Sequence, residues 1–187
     1  MPDVLDSILR EHRTITEVLN VLEAQIDLFE QADQPDYDLI REIIDYFRTF
    51  PDLYHHPKED LMFERLKAKD AASVRPFGNL EALHDEISER LGDFSRAVSR
   101  VMMEAEMPRD TFVKLAREFI AGERAHMRAE EQHFFPVAAK LLDKDDWSEI
   151  DKIIEKFQDP LLDPGANSRF SLLREEVSGL KTPEAVA

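Results

Sequence analysis

The chain has 187 residues, enough for one domain with a small extension, and 43% of them are hydrophobic, enough for a sizeable core. A formal net charge of −16 argues against nucleic-acid partners and against docking on anionic membranes, both of which need a basic surface. The chain has no cysteine, which excludes disulfides, thiolate metal ligands, iron–sulfur ligation and cysteine nucleophiles.

Only five glycines are present, and Leu, Glu, Ala and Arg are abundant, so helices are expected throughout. The first runs from about Asp3 to Gln31. Its apolar stripe of Leu5, Ile8, His12, Ile15, Leu19, Leu22, Ile26 and Phe29 steps alternately by three and four, with His12 in a core slot. Asp33-Gln34-Pro35-Asp36 reads as a turn. The second helix, about Asp38 to Lys69, carries Ile40, Ile44, Phe47, His55, Glu59, Met62 and Leu66. Pro51 and Pro57 lie inside it, so a kink near the histidines, or a break at Pro51, is expected.

Asp70 to Gly78 is a linker. The third helix, about Asn79 to Glu106, repeats the stepping at Leu80, His84, Ile87, Leu91, Phe94, Val98 and Val101, with Asn79 as its N-cap. The fourth, about Arg109 to Leu142, follows Leu115, Phe119, Gly122, His126, Glu130, His133, Val137 and Leu141. After the acidic loop Asp143–Asp146 comes a shorter amphipathic helix with Trp147, Ile150, Ile154 and Phe157. A turn from Asp159-Pro160 to Pro164-Gly165 follows, then a helix with Phe170, Leu172, Leu173 and Val177, and a frayed end from Lys181 to Ala187. The expected fold is all-α: an antiparallel up-down four-helix bundle over residues 1–143, with residues 144–187 a helical appendage packed on it.

A doubled pattern carries the chemistry. A lone His12 is followed by His55 with Glu59, then a lone His84 is followed by His126 with Glu130. Residues four apart on a helix share a face, so each His-x-x-x-Glu pair reaches into one small volume. Imidazole nitrogen with carboxylate oxygen suits Fe, Mn, Co or Zn. Carboxylates can span two ions whereas a neutral imidazole binds one, so the economical arrangement has Glu59 and Glu130 bridging two metals with two histidines on each. Burying two carboxylates without a counter-charge would be very costly, which favours metal over a chance polar layer.

His56 points about 100° away from His55 on an α-helix and reads as a surface group or a support for the ligands. His133 could add a ligand, orient Glu130 or sit in the next core layer. Glu131 and Asp60 read as solvated, and Met62, Phe63, Phe134 and Phe135 as packing. Tyr46 and Tyr54 stand near the pattern as candidate redox relays.

Over about residues 3 to 142 these motifs, and Tyr54-His55-His56-Pro57-Lys58-Glu59-Asp60 above all, resemble the hemerythrin-like (HHE cation-binding) family. The ligand layout is most like that of bacterial di-iron proteins that repair iron centres after nitrosative or oxidative damage. The resemblance implies two iron ions, Mn or Zn being the lesser alternatives, with an oxo or hydroxo bridge, terminal ligands His12, His55, His84 and His126, and bridging Glu59 and Glu130. Oxygen-carrying members have a further histidine where this chain has Ser88, and their fourth-helix carboxylate would fall at Glu131. The repair proteins often carry an N-terminal cysteine region, which is absent from this sequence.

The expected function is therefore binding or reduction of O₂, NO or peroxide in stress response, iron-centre repair or sensing. The alternative is a metal-dependent regulatory module without turnover, using a protein partner or a homodimer. No apolar run approaches the roughly 20 residues that span a bilayer, and no basic leader precedes an apolar one at Met1-Pro2-Asp3-Val4, so a cytoplasmic location is the expectation.

Overall fold

The computed structural model describes residues 3–154, 159–161 and 170–181. Four long rods form the body. The first is α1 (Asp3–Glu30). The second joins α2 (Tyr37–Thr49) to α3 (His56–Lys69) through a π-helical turn at Pro51–His55. The third is α4 (Leu80–Met102). The fourth joins α5 (Arg109–Ala129) to α6 (Phe135–Leu141) through a second π-helical turn at Glu130–Phe134. Short connections return the chain after each rod, and neighbouring rods pack α1 on α2 and α5, and α4 on α2 and α5. The all-α bundle is as the periodicity predicts, with no strand among the described residues. None of the described helices is long and apolar enough to cross a membrane.

Local chemistry sets the ends. Asp36 accepts hydrogen bonds from the amides of Asp38 and Leu39 at 3.0 Å each and so caps α2. Asn79 takes the corresponding place before α4, but its side chain makes no capping bond. Gly78, with φ of 69°, makes the left-handed bend between the Arg75–Phe77 turn and α4.

The acidic run that reads as a loop instead starts α7 (Lys144–Ile154). The Asp143 carboxylate accepts from the amides of Asp145 and Asp146, and Lys69 Nζ holds Asp143 and Asp146 at 2.5 Å. In α8 (Ser171–Lys181), Leu173 and Val177 are buried while Leu172 points outward, against its place in the expected apolar set. The Ile154 side chain, Phe157, the Pro164-Gly165 end of the expected turn and residues 182–187 lie outside the described residues.

Each π turn has a proline as its cause. Pro57 and Pro136 lack an amide hydrogen, and in a regular helix each ring would press on the carbonyl four residues back. Widening the turn by one residue relieves that contact. The amides of His55 and His56 reach Phe50 and Pro51, and that of Phe135 reaches Glu130, all five residues back. The expected kink is thus an under-wound turn with no break at Pro51. The matching turn in the fourth rod went unread, although Pro136 was its signal.

The core is divided. One apolar cluster gathers Ile15, Leu19, Leu22, Phe47, Phe50, Ile87, Phe94 and Phe119, with Phe170, Leu173 and Val177 at and in α8 laid over it. The other gathers Leu5, Ile8, Met62, Leu66, Leu80, Phe134 and Phe135, with Trp147 and Ile150 of α7. Every rod places its histidine or His/Glu pair between them: His12 between Ile8 and Ile15, His55 and Glu59 between Phe50 and Met62, His84 between Leu80 and Ile87. A polar layer is held between two dry ones.

Candidate metal centre

The six residues singled out by the doubled pattern come together in that layer, each at most 8% exposed. Glu59 lies at its middle. Its Oε1 is 3.2 Å from His12 Nε2 and 3.4 Å from His55 Nε2, and its Oε2 is 3.6 Å from His84 Nε2. Glu130 is arranged the same way: Oε2 is 3.6 Å from His12 Nε2, and Oε1 is 3.3 Å from His126 Nε2 and 3.8 Å from His84 Nε2. Each carboxylate therefore splits its oxygens between the pair His12/His55 or His12 alone and the pair His84/His126 or His84 alone.

These spacings fit cation binding. Donors about 2.1 Å from a shared ion stand roughly 3.0–3.4 Å apart for right-angle to tetrahedral spread. Two sets of donor atoms, His12/His55/Glu59 and His56/Glu59/His84/His126, each fall within 4.8 Å, and Glu59 belongs to both. The buried atoms Glu59 Oε2, Glu130 Oε1 and Oε2, His84 Nε2 and His126 Nε2 have no hydrogen-bond partner in the protein. A buried, unpartnered polar atom costs about 1–3 kcal/mol, so five of them in one layer form a donor set built for something else. Bound cations would give such atoms partners, and the residues fit a metal.

Electrostatics among the protein groups of the layer show the same strain. Burial pushes the Glu130 carboxyl up to about 8, reinforced by the facing Glu59 carboxylate. Burial acts on Glu59 too, but the imidazoles of His55 and His12 outweigh it and hold that carboxyl well below its usual range. Burial disfavours charge on His12 and His84. Even so, Glu131 with Glu59 raises the first to about 10, and Asp60 with Glu130 raises the second to about 10. Burial and the neighbouring imidazoles take His126 down to about 4. One carboxylate and two imidazoles thus hold protons that a cation would replace.

The far nitrogens of three histidines are held from outside the layer. His12 Nδ1 meets Glu131 at 2.9 Å and His55 Nδ1 meets Glu11 at 2.8 Å in hydrogen bonds, while His84 Nδ1 faces Asp60 at 3.1 Å as an ion pair without hydrogen-bond geometry. Such contacts fix the ring so that Nε2 faces inward. Glu11 also takes the buried Lys58 ammonium at 2.6 Å, and that ammonium sits 5.6 Å over the Phe50 ring. Glu131 and Asp60, expected to be simply solvated, are half-exposed carboxylates that brace ligands. Glu11 was missed altogether. In each case the brace is a chain neighbour of a ligand on another rod, a signal that spacing within one helix does not contain.

His56 is a support and not a surface group. It is 4% exposed and stacks on His84, ring centroids 4.1 Å apart and planes 7° from parallel. The second rod lies between α1 and α4, so successive positions both face inward: His55 toward His12, His56 toward His84 and His126. A metal lies in the plane of each imidazole that binds it, and two parallel stacked rings share no such point. As placed, His56 buttresses His84. His133 is exposed on the second π turn and takes none of the inward roles open to it. Glu123, one turn before His126, is a buried carboxylate that the sequence reading passed over; burial, with the carboxylates of Asp52 and Glu59, lifts it to about 8.

His126 is the most exposed of the four single-pattern histidines. It borders a cleft of about 270 Å³ between α4 and α5, walled by Leu83, Ile87, Arg90, Gly122 and Ala125. Apart from the Arg90–Glu86 rim pair, its walls are apolar.

No curated protein and no solved structure matches the chain. A family model does: the hemerythrin HHE cation-binding domain matches residues 3–138, the four rods and the whole polar layer. With most of its length and all six inward donors inside that match, the chain belongs to the hemerythrin HHE cation-binding family.

Proposed function

We propose that this chain is a non-haem di-iron protein that binds or reduces a small oxidant, O₂, NO or peroxide, in stress response, iron-centre repair or sensing. His12, His55, His84, His126, Glu59 and Glu130 would hold the two ions. The observation that carries this reading is the division of both carboxylates, one oxygen toward His12 and the other toward His84. Six protein ligands shared by two irons would be fewer than the metals prefer, which would leave room for a small exogenous ligand. Iron bound there would supply the redox and Lewis-acid chemistry that O₂, NO or peroxide needs.

The protein's own part is to bind, orient and exclude water. Glu131, Glu11 and Asp60 lock the imidazoles, and Phe135 covers His12 at 5.5 Å between ring centroids. Met62 and Phe134 close the layer from one side and Phe50 from the other. The apolar cleft beside His126 gives a neutral diatomic a route that the acidic surface does not hinder.

Protein produced in iron-replete medium tests the reading. Two irons per chain are expected, with near-ultraviolet charge-transfer absorbance that bleaches on reduction and responds to O₂, NO or peroxide. A stoichiometry well below two sinks it. Leu83→Trp should fill the cleft, leaving the iron content unchanged while slowing the optical response to NO.

A regulatory module is favoured by a different observation. α7 and α8 each cover one of the two apolar clusters that bound the polar layer, so metal loading could order them. Metal-dependent hydrogen-exchange protection confined to those helices, with no turnover of peroxide or NO, would select that reading.

A further inference from the structure

Tyr46 is wholly buried in the cluster above the polar layer, and its hydroxyl donates to the Asp159 carboxylate at 3.0 Å. Asp159 is itself 1% exposed and reaches in from the segment that follows α7; its other oxygen accepts the Leu161 amide at 2.8 Å. A phenol bonded to a buried carboxylate is an ordinary structural pair until its surroundings are included. Tyr46 lies against Phe50, ring centroids 5.8 Å apart, and Phe50 lies 6.1 Å from the ring of His55. A short run of touching rings therefore joins a buried tyrosine, with a base already on its hydroxyl, to an imidazole of the polar layer.

We propose that Tyr46 is a redox-active tyrosine that gives one electron toward the metal site through Phe50 and His55 while its phenol proton passes to Asp159. The inference rests on the di-iron reading above. Peroxide is the oxidant. The O–H bond of Tyr46 breaks, a neutral tyrosyl radical remains, and the new O–H bond is on Asp159. One hydrogen peroxide takes one electron from Tyr46, a second from the reduced metal site and two protons from solvent to give two waters, while the phenol proton stays on Asp159. The Lys58 ammonium over the Phe50 ring disfavours positive charge there, so Phe50 bridges the electron without holding the hole.

The acid–base setting agrees. Burial, with the Asp159 carboxylate beside it, raises the Tyr46 phenol well above its ordinary value, so the ring stays protonated until it is oxidised. Burial lifts Asp159 to about 6, which keeps it mostly carboxylate at neutral pH yet a better base than an exposed one. The enclosure of the ring also keeps solvent reductants from a radical formed on it.

The chain has three tyrosines, which makes the assignment clean. Reduced, iron-loaded protein is mixed with hydrogen peroxide, frozen and examined by electron paramagnetic resonance, with the optical response of the metal followed in parallel. A radical that narrows on ring-deuterated tyrosine labelling is expected. It should persist in Tyr37→Phe/Tyr54→Phe, where Tyr46 alone remains, and vanish in Tyr46→Phe. In Asp159→Asn, with no base, its formation should slow by about tenfold or more, the effect of roughly 1.4 kcal/mol on the barrier. No radical while the metal absorbance responds to peroxide overturns the relay and leaves the di-iron reading standing. So does a radical that survives Tyr46→Phe or fails in the double variant. If the metal absorbance does not respond to peroxide, the di-iron reading falls and the relay falls with it.

Discussion

At the scale of single residues, the inward donors matter less by their identity than by what holds them. Glu131 braces His12 from a half-exposed position, so Glu131→Ala should leave the fold intact while weakening metal binding about 10–100-fold, the usual cost of losing a ligand's outer partner. Competition against a coloured chelator reads that change; unaltered affinity would make the contact incidental. Glu11 carries a heavier role, since it satisfies both His55 and the buried Lys58. Glu11→Ala should destabilise the protein by about 3–5 kcal/mol, because an ammonium is left buried without its partner. Adding Lys58→Met should restore most of that loss in denaturant melts. If the double variant is no better than the single one, the pair is not what holds this corner. His56 follows the same logic: as a buttress of His84, it should be replaceable by Ala without dropping iron below two per chain.

At the scale of elements, the two π turns are the least regular part of the bundle and lie directly on the donor layer. Under-wound turns of this kind hold strain and recur at functional sites. Pro136→Ala removes the ring that forces the second turn open. Reversion to a plain α-helix should stabilise the metal-free protein by up to about 3 kcal/mol and rotate Glu130 relative to His126, with weaker metal binding as the cost. Thermal melts of metal-free protein and metal titrations check the two halves of that expectation; stability that rises with unchanged affinity would separate the turn from the site.

Much at this scale was legible. Three-and-four stepping gave the four rods to within a few residues, because a stripe of Leu, Ile and Phe at that period can bury itself only as a helix. What periodicity could not convey was the π geometry, which a proline four residues downstream imposes on carbonyls that the pattern does not mark. Nor could one helix's spacing reveal Glu11, Asp60 and Glu131, whose roles depend on which rod stands opposite. Of the two places left open for His56, surface or support, only the packing of α1 and α4 on either side of the second rod decides for support. Ser88, standing where oxygen-carrying members have a histidine, donates to Asp52 at 2.9 Å across to the second rod.

At the scale of the whole molecule, the C-terminal helices are fastened to the bundle by buried polar contacts as well as apolar cover. Burial lifts Asp159 to about 6 from an ordinary 3.8, so the folded protein holds this proton more tightly than the unfolded chain does. The contribution is present at acid pH and is lost as pH rises from about 4 through about 6, amounting to roughly 3 kcal/mol. Asp159→Asn should therefore flatten the pH dependence of stability in that window, measured by urea unfolding in the presence of chelator so that metal binding does not enter. A slope unchanged from the parent would mean that the carboxyl titrates normally. Elsewhere α1 and α5 are clamped by Arg117, which reaches Glu23, Asp27 and Glu30, and by Arg124 on Glu23. With cations this few in an acidic chain, Arg117 holds three carboxylates at once and lowers the self-repulsion of the folded state.

Position 122 determines how wide the doorway at His126 stands. A methyl group there would come within 2.8 Å of the Arg90 guanidinium, the far end of a flexible side chain and so easily displaced. A single added carbon would thus swing the arginine away from the threshold without disturbing a ligand. The width of that cleft depends on an atom that glycine leaves out.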